Sequence, residues 1–459
     1  MRYYLAVWLG KILVFCLGFF RRGGTSLPGL IARTIEPEIL YKFCRQLRLG
    51  TIVVTGTNGK TTTSRLIKKI LETGGYNIVC NGEGSNLERG LISSLIKECD
   101  WSGKVDYDIG VFEVDEADLK NIMPKLFCRQ LVVTNFFRDQ LDRFGELNHL
   151  KMIVKQAISE MPAGSNLILN ADDPFVGSLG KDVSGLNVRY FGLNIADRAV
   201  KGESVDVTEC QVCGESLFYE KRYLAHVGKY YCRKCGFKRP DLDWETSQYQ
   251  GFGVDGMEIK VGNQKWGEFD LKLNLPGFFN VYNVLAALAV VSELELERDQ
   301  AIDAINKFNP VFGRFEKVML DNLKLVLMLA KNPTGFNELI KTILENESKV
   351  KLLVILNDNY ADGRDISWIW DVNFEWFENR IEWACLSGLR SYELLLRFKY
   401  AGADLDVVGV EENYDKILSD FIDLKDRGNI YVLATYTGML DFRKKITNRG
   451  LLADFWVEQ

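Results

Sequence analysis

TIVVTGTNGKTTTS, residues 51–64, is the stretch of sequence that decides the fold. A β-branched apolar run precedes a glycine-rich turn, and Lys60-Thr61 then opens a helical pattern, which is the layout of a phosphate-binding loop. Backbone N–H groups of such a loop and the N-terminus of its helix attract phosphate oxygens. An ordinary strand–turn–helix is the alternative interpretation. The pattern predicts ATP and Mg²⁺ as cofactors.

The predicted nucleotide contacts come from the loop itself. Lys60 can reach the β- and γ-phosphates, where it would act as the catalytic cation, and the Thr61 hydroxyl can hold magnesium. Glycine lets the backbone approach the phosphates without a clash from a Cβ atom. The loop residues predicted to bind the nucleotide are Thr57, Asn58, Gly59, Lys60, Thr61 and Thr62.

Length, charge and cysteine usage bound the class of protein. The 459 residues predict two or three domains. Lysines and arginines number 57 against 62 acidic residues, and the resulting net charge of −5 argues against a nucleic-acid-binding protein, which is usually basic. Four of the ten cysteines form two CxxC pairs and the others are scattered. This pattern favours a reducing cytoplasm and one metal site over a disulfide framework.

The first 20 residues are mostly apolar, and Arg21-Arg22 follow them. Lys11 interrupts the apolar run, and the stretch from Ile12 to Phe20 is shorter than the ~20 residues that span a bilayer. We favour a helix packed on a cytoplasmic protein. Contact with the inner face of the membrane and a true membrane span are the alternatives.

Strand and helix patterns alternate along two parts of the chain. Between residue 51 and about residue 200, the alternation predicts a doubly wound, largely parallel sheet whose ligands lie at the carboxyl ends of the strands. A cysteine-bearing insert, residues 205–245, follows, and a second α/β unit starts near residue 313. We therefore predict an N-terminal helical segment (1–48), an ATP-binding domain (49–312) and a C-terminal α/β domain (313–459).

Polar side chains follow two of the predicted strands. Glu113 ends the apolar strand of FEVDEA, where a carboxylate near a phosphate loop can hold magnesium. Asp115 and Glu116 lie so close that the sequence ranks the three acids poorly, and a solvated acidic turn is the alternative. Asn135 ends the next strand, in TNFFRDQLDR, and is a further candidate nucleotide contact.

Five motifs together resemble the Mur ligases. GTNGKTTT, FEVDEA, TNFFRDQLDRFGE, PGFFNVYN and GRFE occur in the Mur ligase order over about residues 50–316. The resemblance implies that Thr61 and Glu113 hold magnesium, that Asn280 and Asn283 contact adenine, and that Arg314 contacts the phosphates. Helix-capping roles are the alternative for the two asparagines.

Two departures from the Mur ligase pattern concern the acceptor. Only some 50 residues precede the loop, whereas Mur ligases carry a sizeable N-terminal domain for the UDP moiety. Val154 occupies the position at which those enzymes place a carbamylated lysine, with Lys155 beside it. The resemblance therefore implies an acceptor site that differs from that of the amino-acid-adding enzymes.

Two cysteine pairs have the spacing of a zinc ribbon. Cys210 and Cys213 are separated by 18 residues from Cys232 and Cys235, and each pair is followed by glycine. Four thiolates suit a closed tetrahedral zinc site with no open position for catalysis. Disulfides or free thiols, and a nucleic-acid-binding ribbon, are the alternatives. The pattern favours structural Zn²⁺.

A dense polar and aromatic cluster, NDNYADGRDISWIWD, follows a strand pattern at residues 357–371. A partner surface or active site is favoured over a solvated turn. With the cysteine pairs and the terminal LATYTGMLDFR, this cluster resembles the MurT family, the ATP-using subunits of lipid II isoglutaminyl synthase. The resemblance covers essentially the whole chain and implies a Mur-ligase-type central domain with an inserted zinc ribbon and a Rossmann-like C-terminal domain.

The same resemblance implies a function and a partner. ATP would activate the α-carboxylate of the D-isoglutamyl residue in the lipid II stem peptide as an acyl phosphate, and ammonia would convert it to D-isoglutamine. A GatD-type glutamine amidotransferase subunit would supply the ammonia, with Asp365 completing its catalytic triad. The chain has only two histidines, neither beside a recognisable nucleophilic cysteine. An amino-acid-adding ligase and a nucleotide-binding scaffold without catalysis are the alternatives.

Overall fold

A computed structural model gives the architecture of the protein. It describes residues 1–19, 26–81, 85–137, 147–196, 207–309, 313–320, 323–423, 428–450 and 452. Two separate β-sheets with their helices form two α/β units, as the alternation in the sequence predicts. A small two-stranded sheet belongs to the cysteine-bearing insert. The predicted domain boundaries stay predictions, and those at residues 205 and 312 lie outside the described residues.

The first sheet has nine strands in the order β11-β10-β9-β6-β5-β4-β1-β3-β2. The strands from β2 to β6 pair in parallel, whereas β9, β10 and β11 form an antiparallel edge. The strands are β1 (Thr51–Thr55), β2 (Ile78–Cys80), β3 (Ile109–Glu113), β4 (Cys128–Val133), β5 (Asn166–Asn170), β6 (Asn187–Leu193), β9 (Trp244–Gly251), β10 (Met257–Asn263) and β11 (Gly267–Leu273).

Helices cover this sheet and position its strand ends. All thirteen residues of the helix Asn280–Ser292 (α9) are buried, which explains why its sequence is apolar on most of its faces. The helices of this part of the chain are α4 (Lys60–Thr73), α5 (Glu88–Glu98), α6 (Leu119–Leu126), α7 (Leu147–Ser159), α8 (Pro174–Gly177), α9 (Asn280–Ser292) and α10 (Arg298–Asn306).

The cysteine-bearing insert lies between β6 and β9. Its hairpin consists of β7 (Phe218–Leu224) and β8 (Val227–Tyr231). His226 in the hairpin turn is fully buried and packs 4.8 Å from the ring of Phe137, which follows β4. The insert is therefore fixed against the sheet beside the nucleotide loop.

The second sheet has six strands in the order β12-β13-β17-β14-β15-β16. Among the described strands, β12 pairs antiparallel with β13 and the other pairs are parallel, so the residues after Arg314 form a second α/β unit. Its strands are β12 (Arg314–Leu320), β13 (Leu323–Leu329), β14 (Val350–Ile355), β15 (Ile381–Ser387), β16 (Val408–Val410) and β17 (Gly428–Ala434). Its helices are α11 (Pro333–Leu344), α12 (Ser391–Tyr400), α13 (Tyr414–Asp423) and α14 (Tyr436–Asn448).

Three helices precede the first sheet: α1 (Arg2–Phe19), α2 (Leu27–Ile35) and α3 (Ile39–Cys44). The predicted packing of the N-terminal segment on the protein is confirmed, because Ala6 and Val7 of α1 are fully buried in the core that also contains α5. No helix among the described residues has the length and apolar character needed to cross a membrane.

Candidate active site

The phosphate-binding loop joins β1 to α4, as the sequence predicts. Gly56 and Gly59 have φ angles of 125° and 88°. A Cβ atom at Gly56 would lie 2.2 Å from Thr134 Oγ1, and one at Gly59 would lie 2.1 Å from Asn283 Oδ1. Both the backbone conformation and the close neighbours therefore require glycine at these two positions.

Lys60 is buried and lies folded into its own loop. Its ammonium group is 3.1 Å from Glu116 Oε2, and it donates to the carbonyl oxygen of Gly56. Burial opposes the charge on Lys60, but the carboxylates of Glu116, Glu113 and Asp115 raise its pKa above the ordinary value. Burial likewise opposes the charge on Glu116, and Lys60 lowers the net pKa of that carboxyl. The two groups form a charged buried pair.

The structure separates the three acids that the sequence could not rank. Thr61 Oγ1 lies 2.7 Å from Glu113 Oε2, so a hydroxyl and a carboxylate meet as two oxygen donors suited to Mg²⁺. The Asn81 side chain bonds both backbone polar groups of Glu113, at 2.9 Å each. Glu116 pairs with Lys60 instead, and burial, then the charge of Glu116, raises the pKa of Asp115. Glu113 is the candidate magnesium ligand.

Asn135 and Asn58 connect the loop to the end of β4. The Asn58 backbone N–H donates to Asn135 Oδ1 at 2.9 Å, and Asn135 Nδ2 donates to the Asn58 carbonyl at 3.1 Å. Thr57 Oγ1 accepts from the Phe137 N–H at 3.1 Å, so Thr57 faces the protein interior. Asn135 thus holds the loop in shape as well as bordering the cleft.

Asn280 and Asn283 lie on the first turn of α9 beside the loop. Asn283 Nδ2 donates to Asn280 Oδ1 at 2.7 Å, and Thr63 Oγ1 lies 3.3 Å from Asn283 Oδ1. Asn280 Nδ2 donates to the carbonyl of Pro276 at 2.6 Å. Neither asparagine is the N-cap, which is Phe279 and makes no side-chain cap bond. Both border the cleft, and their contact with adenine stays a prediction.

A cleft between the two α/β units brings most of the predicted residues together. Thr57 and Lys60 are not among the described residues that border it, since both are buried within the loop. Arg314 reaches in from β12, with its guanidinium 3.5 Å from Thr62 Oγ1. The predicted residues that border the cleft are Asn58, Gly59, Thr61, Thr62, Glu113, Asn135, Asn280, Asn283 and Arg314.

Sequence analysis missed the contribution of the second unit to this cleft. Asn332 donates to Asn58 Oδ1 at 3.1 Å, and Lys331 and Glu338 also border the cleft. The positive charge of Lys331 acts on both Asp115 and Glu116, where it opposes the effect of burial on each carboxyl, so a second cation lies near the loop. The signal was the polar run Lys331-Asn332 directly after β13, at the carboxyl end of a buried strand.

The four cysteines of the insert converge on one point. Their sulfur atoms all lie within 4.8 Å of one another, with Cys210–Cys235 at 3.5 Å and Cys213–Cys232 at 3.6 Å. A tetrahedral Zn²⁺ with bonds of ~2.3 Å places its sulfurs about 3.8 Å apart. The donor set therefore fits a four-thiolate metal site.

The backbone around the two cysteine pairs repeats. Gly214 N–H donates to the Cys210 carbonyl at 2.9 Å, and Gly236 N–H donates to the Cys232 carbonyl at 3.1 Å. Both glycines have φ near 74°. The two turns thus present their thiols in the same way.

Asp365 lies outside the nucleotide cleft and is exposed. Its Oδ1 accepts from the Ser367 N–H at 2.8 Å. Of the three other acids of the cluster, Asp371 is also exposed, whereas two have structural partners. Asp358 pairs with Arg390 at 2.6 Å, and buried Asp362 accepts from the Thr437 N–H at 2.8 Å. Exposure therefore distinguishes Asp365 from Asp358 and Asp362 but not from Asp371, and the role of Asp365 stays a prediction.

The position predicted to replace a carbamylated lysine also has a defined environment. Val154 on α7 is fully buried, whereas Lys155 is exposed. Lys151, one turn earlier, donates to the Gln211 carbonyl at 2.9 Å, and burial lowers the pKa of Lys151 to about 8. The segment from Arg138 to Glu146 lies outside the described residues.

Comparison with known proteins defines the class of this fold. Residues 54–219 match the family model of the Mur ligase middle domain. The solved MurF ligase from Thermotoga maritima in complex with ADP matches with a TM-score of 0.62 at 15% identity, over 90% of this chain and 84% of that one. The fold is that of the ATP-using Mur ligases.

The particular family is shown by sequence. Residues 329–439 match the model of the MurT ligase C-terminal region. The MurT subunit of lipid II isoglutaminyl synthase (glutamine-hydrolyzing) from Staphylococcus aureus strain COL is 33% identical over 96% of both chains. The subunit of the same name from Streptococcus pneumoniae strain ATCC BAA-255 / R6 is 32% identical over 98% of both chains. The chain belongs to the MurT family.

Proposed function

We propose that this chain is the ATP-using subunit of an enzyme that amidates the lipid II stem peptide. ATP transfers its γ-phosphoryl group to the α-carboxylate of the D-isoglutamyl residue, giving an acyl phosphate and ADP. Ammonia attacks the acyl carbon and inorganic phosphate leaves, so the product is D-isoglutamine. The observation that carries this proposal is the match to the MurT relatives over 96% of the chain.

The cleft has the groups that phosphoryl transfer requires. Loop N–H groups at the start of α4 would bind phosphate oxygens, and Lys60, whose ammonium lies within the loop behind the cleft wall, would offset the charge that develops on the transferring group. Thr61 and Glu113 would hold Mg²⁺, which would supply positive charge to the phosphates during the transfer. Asn280 and Asn283 offer amides to the adenine ring, and Arg314 offers a guanidinium to the phosphates. These assignments argue against a scaffold that has lost catalysis.

We assign the supply of ammonia from glutamine to a partner subunit. His226 is fully buried behind Phe137, and His149 on α7 is exposed; neither has a cysteine beside it in a recognisable nucleophile motif. We assign glutamine hydrolysis to a GatD-type subunit with its own Cys–His pair, and Asp365 to the orientation of that histidine. An exposed carboxylate can make that contact only when the partner docks around it.

An aromatic surface on α12 supports this docking site. Tyr392, Leu396 and Tyr400 are exposed and spaced four residues apart, so they share one face of the helix. The ring of Tyr400 lies 5.7 Å from that of exposed Trp370, in the segment that carries Asp365. Exposed aromatic clusters are typical of protein interfaces. A partner that covers this surface would also contact Asp365.

The product of the reaction tests the proposal. The purified chain is incubated with lipid II, Mg²⁺ and ATP, together with ammonium, glutamine or glutamate, and the lipid product is analysed by mass spectrometry. We expect the amide with ammonium alone and no product with glutamine until the partner subunit is added. Formation of a glutamate adduct instead would establish the amino-acid-adding ligase.

The four-cysteine site is assigned to one structural Zn²⁺. Its ligands are all supplied by the chain, so its role is to hold the insert in shape rather than to take part in the reaction. We expect one zinc per chain by elemental analysis. Cys210→Ser should lower thermal stability strongly, because closed zinc sites contribute folding energy, whereas Cys16→Ser should not. Freshly purified protein without zinc would contradict the assignment.

A further inference from the structure

We propose that α1 lies on the surface of an anionic phospholipid bilayer through one exposed apolar face. This inference rests on the proposed function for one point only: a lipid-linked substrate gives the protein a reason to bind a membrane. The docking surface itself follows from exposure and charge. It is defined here as the outer stripe, which consists of Tyr4, Leu5, Trp8, Ile12 and Phe15.

Helix α1 has two apolar faces, of which the protein covers one. On the inner face, Ala6 and Val7 are fully buried. Gly10 lies so close to α5 that a Cβ atom there would be 2.7 Å from Ile96 Cδ1. The outer stripe recurs every three or four residues on the opposite side, and its side chains are 49–76% exposed. The uncovered apolar face of α1 would therefore be stabilised by burial against a further apolar surface.

The outer stripe has the side chains that favour a membrane interface. Trp8 is half exposed, and its Nε1 donates to the carbonyl of Trp101 at 2.8 Å. Trp101 is 60% exposed, and the ammonium of Lys11 lies 5.9 Å from its ring centre. Tryptophan, tyrosine and a nearby lysine are enriched where protein meets the headgroup layer. The outer stripe and the adjacent Lys11 and Trp101 therefore combine apolar and polar groups as an interfacial helix does.

Charge complementarity selects an anionic bilayer as the occupant. Residues 1–35 contain five lysines and arginines and no acidic residue. Residues 1–48 have a net charge of +6, with eight basic and two acidic residues, so the rest of a chain with net charge −5 has −11. Anionic lipids attract such a basic segment and repel the acidic remainder, which orients the molecule. Two copies of the same segment would repel each other.

The position of the N-terminal helices fits a bilayer-bound substrate. Arg33 of α2 pairs with Glu88 at 3.1 Å, and Glu88 begins α5 after the carboxyl end of β2. Asn81, directly after β2, bonds the backbone of Glu113. Arg33 thus fixes α2, which packs against α1, at the carboxyl ends of the strands where the nucleotide site lies, whereas Trp8 of the outer stripe contacts Trp101 in the connection between α5 and β3.

Vesicle sedimentation of the full chain tests the proposal. We expect binding to vesicles of phosphatidylethanolamine and phosphatidylglycerol, weaker binding at higher salt, and little binding to phosphatidylcholine alone. The double variant Ile12→Asp/Phe15→Asp should lower the partition coefficient roughly 100-fold, since burial of each large apolar side chain contributes about tenfold. The matched control, Met152→Asp/Met319→Asp, adds the same charge at two exposed residues elsewhere and should bind as the wild type does.

Two further measurements separate this proposal from the proposed function. The Ile12→Asp/Phe15→Asp variant should amidate detergent-solubilised lipid II at the wild-type rate and vesicle-embedded lipid II more slowly. Vesicle binding through the stripe by a chain that amidates neither substrate would leave the docking surface standing and overturn the function. Equal vesicle binding by the variant, or a wild-type dimer that the variant abolishes, would overturn the docking surface.

Discussion

Asp365→Asn should abolish most glutamine-dependent amidation by the complex while ammonium-dependent amidation survives. An asparagine can still accept the Ser367 N–H bond, so the loop keeps its shape. It cannot stabilise an imidazolium, and the corresponding substitution in the serine-protease triad costs ~10⁴-fold in kcat. The measurement is the ratio of the two amidation rates, with the partner subunit present in both assays.

Two other acids of the same segment are the controls for Asp365. Asp371→Asn removes a second exposed carboxylate six residues away, and it should leave both rates near the wild-type values. Asp358→Asn weakens the pair with Arg390 and should keep far more glutaminase activity than Asp365→Asn. Equal loss of both activities in Asp365→Asn would place this residue in the ligase site. An unchanged ratio would show it to be an ordinary loop carboxylate.

Lys60→Ala should lower amidation with either nitrogen source by roughly 10³-fold, the effect of removing one preorganised charge from a transition state. Lys60 also forms an ion pair with buried Glu116. Removing one member of a buried pair typically costs about 3–5 kcal/mol, because it leaves an uncompensated charge. Loss of activity in Lys60→Ala could therefore come from unfolding alone.

A second variant separates chemistry from stability at Lys60. Lys60→Ala/Glu116→Gln replaces the unpaired carboxylate by a neutral amide of the same shape. It should unfold at a higher temperature than Lys60→Ala and still lack activity with ammonium. Recovery of both stability and activity in the double variant would show that Lys60 only neutralises Glu116, and the catalytic assignment would fall.

The pH dependence of that pair follows from the same charges. Because Lys60 lowers the pKa of Glu116, this carboxyl contributes stability that is present above its unfolded pKa and is lost as the pH falls through the folded value. The raised pKa of Lys60 means that its contribution is lost only as the pH rises through the folded value of the lysine. The pair therefore supports the loop throughout the neutral range.

The local motifs were readable because each rests on short-range chemistry. The β-branched run before Gly56 forms β1, and α4 begins at Lys60, since strand, turn and helix propensities act over a few residues. The cysteine spacing placed four thiols together, because a turn after each pair fixes their directions. The family resemblance was carried by the same local motifs.

Contacts between residues far apart in the chain could not be predicted from the sequence. Glu113, Asp115 and Glu116 are nearly adjacent in the chain, and only packing against the loop sends Glu113 to Thr61 and Glu116 to Lys60. Asn332 meets Asn58 across 274 positions of sequence, which no periodicity can encode. Side-chain direction at a strand end depends on the neighbouring strands and helices.

The sequence by itself determined that this chain has a phosphate-binding loop, a four-cysteine insert and two α/β units, because periodicity and spacing express local backbone preferences. Tertiary structure alone decided which acid meets Thr61, which acids of the C-terminal segment are paired or buried, and which face of α1 stays uncovered. Those outcomes depend on how distant elements bury apolar surface against one another, and burial is a property of the assembled fold.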